Sequence, residues 1–404
     1  MNSPLSPLPD VNRDYDAALA AFTAWYVHEA PRIRSARELV RRTCERFVAH
    51  GVPLRRFTAL LLMLHPDYFG ISQRWSRGSD EVKTSRGSYE IWNRPILQDS
   101  PYGEINRGAA ALRRRLAGPH ARIDYDVLKE YAAEGCTDYV IMHLPFGDEG
   151  RHAAAFATDR PGGFTPAELR LIDAMLPHMA RQSELLTLRY LTTTLLDTYV
   201  GRNAGERVLT GQIRRGSGET IRAVIWFSDL RGFTPLSDRL PRDTLIALLN
   251  GYFDCVGGAI AAAGGEILKF IGDAVLAIFP LGAGRGPAEA AQAALGAAQA
   301  ARAGLAALRA LPGGDGLDFG VALHAGDVMY GNIGTAQRLD FTVIGPAVNA
   351  TARLQSLAST LGEPILVSAE IAAAVGAASL ESVGRHALKG LAEPVDAFRP
   401  ARSP

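Results

Sequence analysis

The stretch WFSDLRGFTP (226–235) decides the reading of this chain: it ends an apolar strand, RAVIWFSD (222–229), on one acid, Asp229, and follows it with a glycine turn. Thr234 as N-cap and Pro235 at the first helical position predict that a helix opens there. Such an opening aims the backbone N–H groups of Gly232, Phe233 and Thr234 past the strand end, an arrangement that suits phosphate beside a metal-binding carboxylate. A second stretch, KFIGDAVLAIF (269–279), puts Asp273 in a tight turn between two apolar runs. Two isolated acids at strand ends can share hard cations such as Mg²⁺, which takes one or two carboxylates plus substrate oxygens. For either acid alone, capping a turn is the commoner role.

Outward from these stretches, the pattern predicts a helix over 243–263, a hairpin over 266–280 and an alanine-rich helix over 286–310. A strand over 318–326, another near 340–344, a helix over 346–359 and a strand over 364–368 follow. This alternation predicts an α/β (α+β) unit, a sheet covered by helices. Upstream, the glycine- and arginine-rich residues 202–220 mark a boundary. Thr165-Pro166-Ala167-Glu168 is a capping box that opens a helix running almost to Gly201, with Pro177 as the one position where it can bend. Before it, two helices broken at Pro31, a hairpin around the HPD turn of 56–75, and strands at 139–147 and 151–159 predict a mixed α/β module. The run Arg113-Arg114-Arg115 reads as a solvated helix face.

Composition narrows the function. Forty-three basic against forty-two acidic residues leave a net charge of +1, so no overall field draws the chain to nucleic acid or anionic lipid. The three cysteines, Cys44, Cys136 and Cys255, make neither a disulfide framework nor a zinc site by themselves and suit a reducing compartment. The N-terminal MNSPLSPLPD has no basic segment before an apolar one, and the longest apolar run, Ala59 to Leu64, is far short of a membrane span. A cytoplasmic protein without membrane or nucleic-acid partners is expected. His324 reads as a core or strand-end histidine and Cys255 as a packed small residue. The histidines of the first half carry no haem-ligation motif.

FSDLRGFT, GGEILKFIGDAVLAIF, GVALHAGDVMYGNIG and FTVIGPAVNATAR (341–353) together resemble, in order and separation, the catalytic domain of class III adenylyl cyclases over about residues 214–400. That resemblance implies a ferredoxin-like βαββαβ core and two Mg²⁺ or Mn²⁺ ions per active site, held by Asp229, Asp273 and the Leu230 carbonyl. It further implies that Asn349 orients the ribose and Arg353 stabilises the transition state, while Lys269 and Thr342 read the purine. Gly232, Phe233, Thr234 and Lys389 would bind phosphates. A lysine donor suits adenine N1, whereas guanine N1 carries a hydrogen and wants an acceptor. Pro346 departs from the acidic or amide residue of many relatives, at a helix turn where proline is tolerated.

The expected reaction is ATP to 3′,5′-cyclic AMP and pyrophosphate, in a head-to-tail homodimer whose sites each draw on both chains. Guanylate cyclase, or a non-catalytic nucleotide-binding or dimerisation module, are the alternatives. The expected organisation is a sensor module resembling a GAF domain over 1–185, open to a small-molecule effector, a helical linker over 186–213 and the cyclase domain over 214–404.

Overall fold

The computed structural model describes residues 8–92, 94–282, 284–376, 379–390 and 393–401. The start of MNSPLSPLPD, residues 1–7, lies outside them, as do Leu391 and Ala392 beside Lys389. The chain divides into two compact units, up to Leu195 and from Leu196 onward.

The first unit is a six-stranded antiparallel sheet of β1 (Leu54–Leu62), β2 (Gly70–Ser76), β3 (Lys83–Gly87), β4 (Ala111–Arg115), β5 (Asp138–His143) and β6 (Ala153–Thr158), ordered β3-β2-β1-β6-β5-β4. Side chains alternate between faces along each strand. Phe57, Leu61, Val140 and Phe156 pack with the helices Tyr15–His28, Ala36–Ala49 and Pro166–Tyr199. Tyr139, Ile141 and Ala155 join Tyr102, Ile105 and Leu128 in a second cluster. Both faces are therefore covered, which is why β5 and β6 read as unbroken apolar runs.

The Thr165 capping box forms as read: the Glu168 N–H donates to Thr165 Oγ1 at 3.2 Å, and the Thr165 N–H donates to Glu168 Oε2 at 2.8 Å. The helix it opens runs unbroken through Pro177 to Tyr199. Arg113–Arg115 correct the sequence reading, because they lie on β4 and not on a helix. Arg113 and Arg115, two residues apart and so on one strand face, both reach the fully buried Asp138, at 2.6 and 3.2 Å. Arg114, on the opposite face, pairs with Asp124 at 2.9 Å.

In the second unit, β7 (Gly218–Leu230), β8 (Glu266–Ile271), β9 (Ala274–Pro280) and β10 (Phe319–Gly334) lie in the order β10-β7-β9-β8, the ferredoxin-like arrangement of a βαββαβ core. β11 (Leu339–Ile344) pairs with β10, while β12 (Ile365–Ser368), β14 (Val395–Pro400) and β13 (Leu380–His386) extend the sheet beyond it. The helices Arg242–Ala262 and Pro287–Ala303 pack on Val224, Trp226 and Val321. The helix Pro346–Leu361 lies on the opposite side, with Ala347 in the cluster that holds Ala223 and Ile225. By length and composition alone, Arg242–Ala262 is apolar enough to cross a membrane, but Leu248, Tyr252, Val256 and Ile260 are buried in this core. Cys255 lies on the same helix, its thiol donating to the Ala301 carbonyl. His324, on β10, shares a hydrogen bond with Ser368 Oγ at 2.9 Å.

Candidate functional site

β7 ends by carrying Asp229 to the edge of the core, and the Gly272–Asp273 turn of the β8–β9 hairpin brings the second acid against it. The two carboxyls lie close enough to interact electrostatically. Burial, and then the neighbouring Asp273 carboxyl, raise the Asp229 pKa to about 7, with the Leu230 N–H pulling the other way. Asp229 Oδ1 is buried and has no hydrogen-bond partner among the described residues. An orphaned, buried carboxylate oxygen beside a second carboxyl fits a hard divalent cation, whose charge would relieve both burial and repulsion. Among the described residues no group of three or more His, Cys, Asp or Glu side chains gathers here, so further ligands would come from backbone, water or substrate.

The helix after β7 is Phe233–Arg239, capped by Gly232 and not by Thr234 as the sequence suggested. Gly232 takes the left-handed conformation, φ +67°, which turns the chain before Thr234 can cap it. Proline is still tolerated at Pro235, inside the first turn. Among the described residues, no acceptor takes the N–H groups of Phe233 and Thr234.

Lys269, on β8, pairs through its ammonium with Asp340 of β11. Thr342, two residues further along β11 and opposite Gly331 of β10, shares the strand face of Asp340, while Phe341 and Val343 point into the core. Sequence reading missed Asp340. The available signal was its spacing of two from Thr342 on a predicted strand. Around these residues Phe270, Ile271 and Ile344 leave about half of their surface exposed, at 50%, 48% and 46%.

Asn349 and Arg353 lie four residues apart on the helix Pro346–Leu361, both exposed, while Ala347, Thr351, Leu354 and Ala358 are buried. Neither side chain makes a hydrogen bond or ion pair among the described residues, and nothing joins them to the aspartates within one chain. Lys389 is exposed in the turn after β13. The structure thus brings together Asp229 with Asp273 and Lys269 with Asp340, and leaves Asn349, Arg353 and Lys389 apart from them.

Residues 218–398 match the Adenylate and Guanylate cyclase catalytic domain family. The chain is 36% identical to the adenylate cyclase of Anabaena cylindrica over 162 residues, covering 39% of this chain and 32% of that protein. Among solved structures, the adenylyl cyclase CyaB from P. aeruginosa is 30% identical with a TM-score of 0.42, covering 46% of this chain and 97% of that one. The guanylyl cyclase Cya2 is 29% identical with a TM-score of 0.39, covering 46% and 93%. The chain spans about a third of the length of the curated relatives it matches. Over residues 218–398 its second unit thus matches the Adenylate and Guanylate cyclase catalytic domain family.

Proposed function

We propose that this protein is an adenylate cyclase that converts ATP to 3′,5′-cyclic AMP and pyrophosphate. The observation that carries the reading is the Asp229–Asp273 carboxyl pair with its orphaned oxygen, on a chain that also carries Lys269, a donor able to read a purine. Asp229, Asp273 and the Leu230 carbonyl would hold two Mg²⁺ or Mn²⁺ ions, which would supply Lewis-acid activation of the ribose 3′-hydroxyl and charge neutralisation of the triphosphate.

Lys269 donates to adenine N1, and Asp340 holds that ammonium on the purine-facing side of β11 beside Thr342. Asn349 orients the ribose, and the Arg353 guanidinium meets the charge that spreads over the phosphoryl oxygens. Lys389 and the free N–H groups after Gly232 bind phosphates.

Asn349 and Arg353 stand unengaged in the single chain, and Phe270, Ile271 and Ile344 expose apolar surface beside the site. Both features support a head-to-tail homodimer in which each site takes its metal ligands from one chain and its base-reading, ribose and transition-state groups from the other. The first unit regulates turnover, so removing residues 1–185 changes the basal rate. Three unpaired cysteines support the cytoplasm as the compartment.

The deciding experiment assays cyclic nucleotide from purified full-length protein with ATP and GTP in parallel, under Mg²⁺ and Mn²⁺ in turn. Cyclic AMP from ATP, abolished in Asp273→Asn, is expected. Faster turnover of GTP overturns the adenine assignment. Tight ATP binding without product, under either metal, overturns catalysis.

A further inference from the structure

The first unit contains a cavity of about 550 Å³ that the cyclase reaction does not use. It opens where the end of β1, the β5–β6 connection and the helix Pro166–Tyr199 meet, and its volume lies in the range that holds a drug-sized molecule. Its walls are aromatic and aliphatic. Phe69 and Trp92 meet edge to face at 4.7 Å, and Phe146 stacks on His152 at 3.9 Å, so the rings are held in place before any ligand arrives. The helix contributes Thr187, Leu188 and Leu191.

The mouth exposes more apolar surface than a solvated rim needs. Leu64 is 76% exposed, Leu188 55% and Tyr89 50%, and contiguous surface of this kind marks a site that something covers. The charged groups lining the cavity are both acids, Asp148 and Glu184, and no lysine or arginine is among the lining residues. The two acids are already engaged. His152, whose Nδ1 accepts from the Leu62 N–H at 3.0 Å, donates from Nε2 to Asp148 at 3.1 Å. Glu184 accepts from the Gly147 N–H at 2.9 Å and from Arg181 at 2.8 Å. A ligand here would gain little from new ion pairs, and an anionic one would meet two carboxylates, since the one guanidinium named here, Arg181, is not among the lining residues and is engaged by Glu184.

We propose that this cavity is a binding site for a predominantly apolar, ring-bearing small molecule that carries no negative charge. Aromatic walls supply stacking and burial, and the acidic rim excludes anions. Four residues of the wall belong to one helix, so the occupant bears directly on the segment whose chain continues into the cyclase unit.

The test titrates the full-length protein with Nile red, a neutral dye that brightens in apolar surroundings, and separately with the anionic dye 1-anilinonaphthalene-8-sulfonate. Saturable binding of one Nile red per chain is expected, with the anionic dye weaker by about tenfold or more. Leu188→Glu places a charge on the wall at an exposed helix position, and Leu191→Trp fills the space while keeping it apolar. Each should weaken Nile red by about tenfold or more, whereas Ile96→Glu, at an exposed apolar residue outside the cavity, should leave it unchanged. Circular dichroism melts check that each variant folds. Unchanged affinity in both folded wall variants, or equal affinity for the two dyes, overturns the proposal. A signal per chain that falls as protein concentration rises assigns the cavity to a second copy of the chain and also overturns it.

Discussion

Replacing Asp229 by asparagine should make the metal-free protein more stable while abolishing turnover. The carboxyl is raised from 3.8 to about 7, by burial first and then by Asp273. An acid that holds its proton more tightly folded than unfolded costs nothing below about 3.8. Its cost grows from there up to about 7 and stands in full above that. At about 1.4 kcal/mol per pKa unit, the whole difference amounts to about 4 kcal/mol at pH 8. Sharing of the proton with Asp273 and the partial exposure of the carboxyl reduce this to about 2 kcal/mol. For a unit of roughly 200 residues that is a rise of about 4–8 °C in the melting temperature of the second unit. Calorimetry of the full chain, with hydrogen exchange of peptides from β7 to β9 to assign the transition, measures it at pH 8 and pH 4.5 without metal. The gap between variant and wild type should shrink at pH 4.5, where Asp229 keeps its proton in the folded protein. Adding Mn²⁺ should raise the wild-type melting temperature and leave the variant nearly unmoved. A variant that melts at or below wild type at pH 8, or a gap that ignores pH, would refute the reasoning.

Three further outcomes are expected. Asp340→Asn, which frees the Lys269 ammonium, should lower the ratio of ATP to GTP kcat/KM by about tenfold with little change in folding, read from steady-state kinetics with both nucleotides. Asp138→Ala leaves Arg113 and Arg115 without their buried partner and should cost the first unit about 3–5 kcal/mol in urea melts. Glu370 is held down to about 2, chiefly by its hydrogen bond with His324. Its contribution is therefore present above the usual carboxylate value of 4.5 and is lost as pH falls toward 2, and Glu370→Gln should flatten that part of the acid-unfolding curve.

Sequence legibility followed locality. The β8–β9 hairpin was readable because two turn residues separate apolar runs, and the Thr165 cap because both partners sit within one helical turn. β10 extends to Gly334 although the pattern suggested a stop at Gly326. That glycine does not end the strand. A Cβ there would meet Ala347 Cβ at 2.6 Å, so it admits the helix Pro346–Leu361 to the sheet. β3 escaped because its polar, mostly exposed residues carry no apolar alternation, and β13 because Leu380 and Val383 are its only apolar side chains larger than glycine and stand three apart, off the period of two. Arg113 and Arg115 were misread because their partner, Asp138, is supplied by the neighbouring strand β5, which local charge patterning does not register. Around the candidate site, Asp229 and Asp273 stand in local strand-end and turn motifs and Lys269 is singled out by the resemblance, whereas its pairing with Asp340 becomes visible only when β8 and β11 are side by side.

Lys269 and Asp273 stand four residues apart on one hairpin, yet in the proposed head-to-tail pair they serve different reactions: the lysine reads the purine in one site while the acid binds metal in the other. Two defective genes could therefore rescue each other. A chain carrying Lys269→Glu, paired with one carrying Asp273→Asn, assembles one site with both defects and one with neither. A single chain bearing both changes inactivates each site of any dimer it enters, acting as a dominant poison on its normal sister.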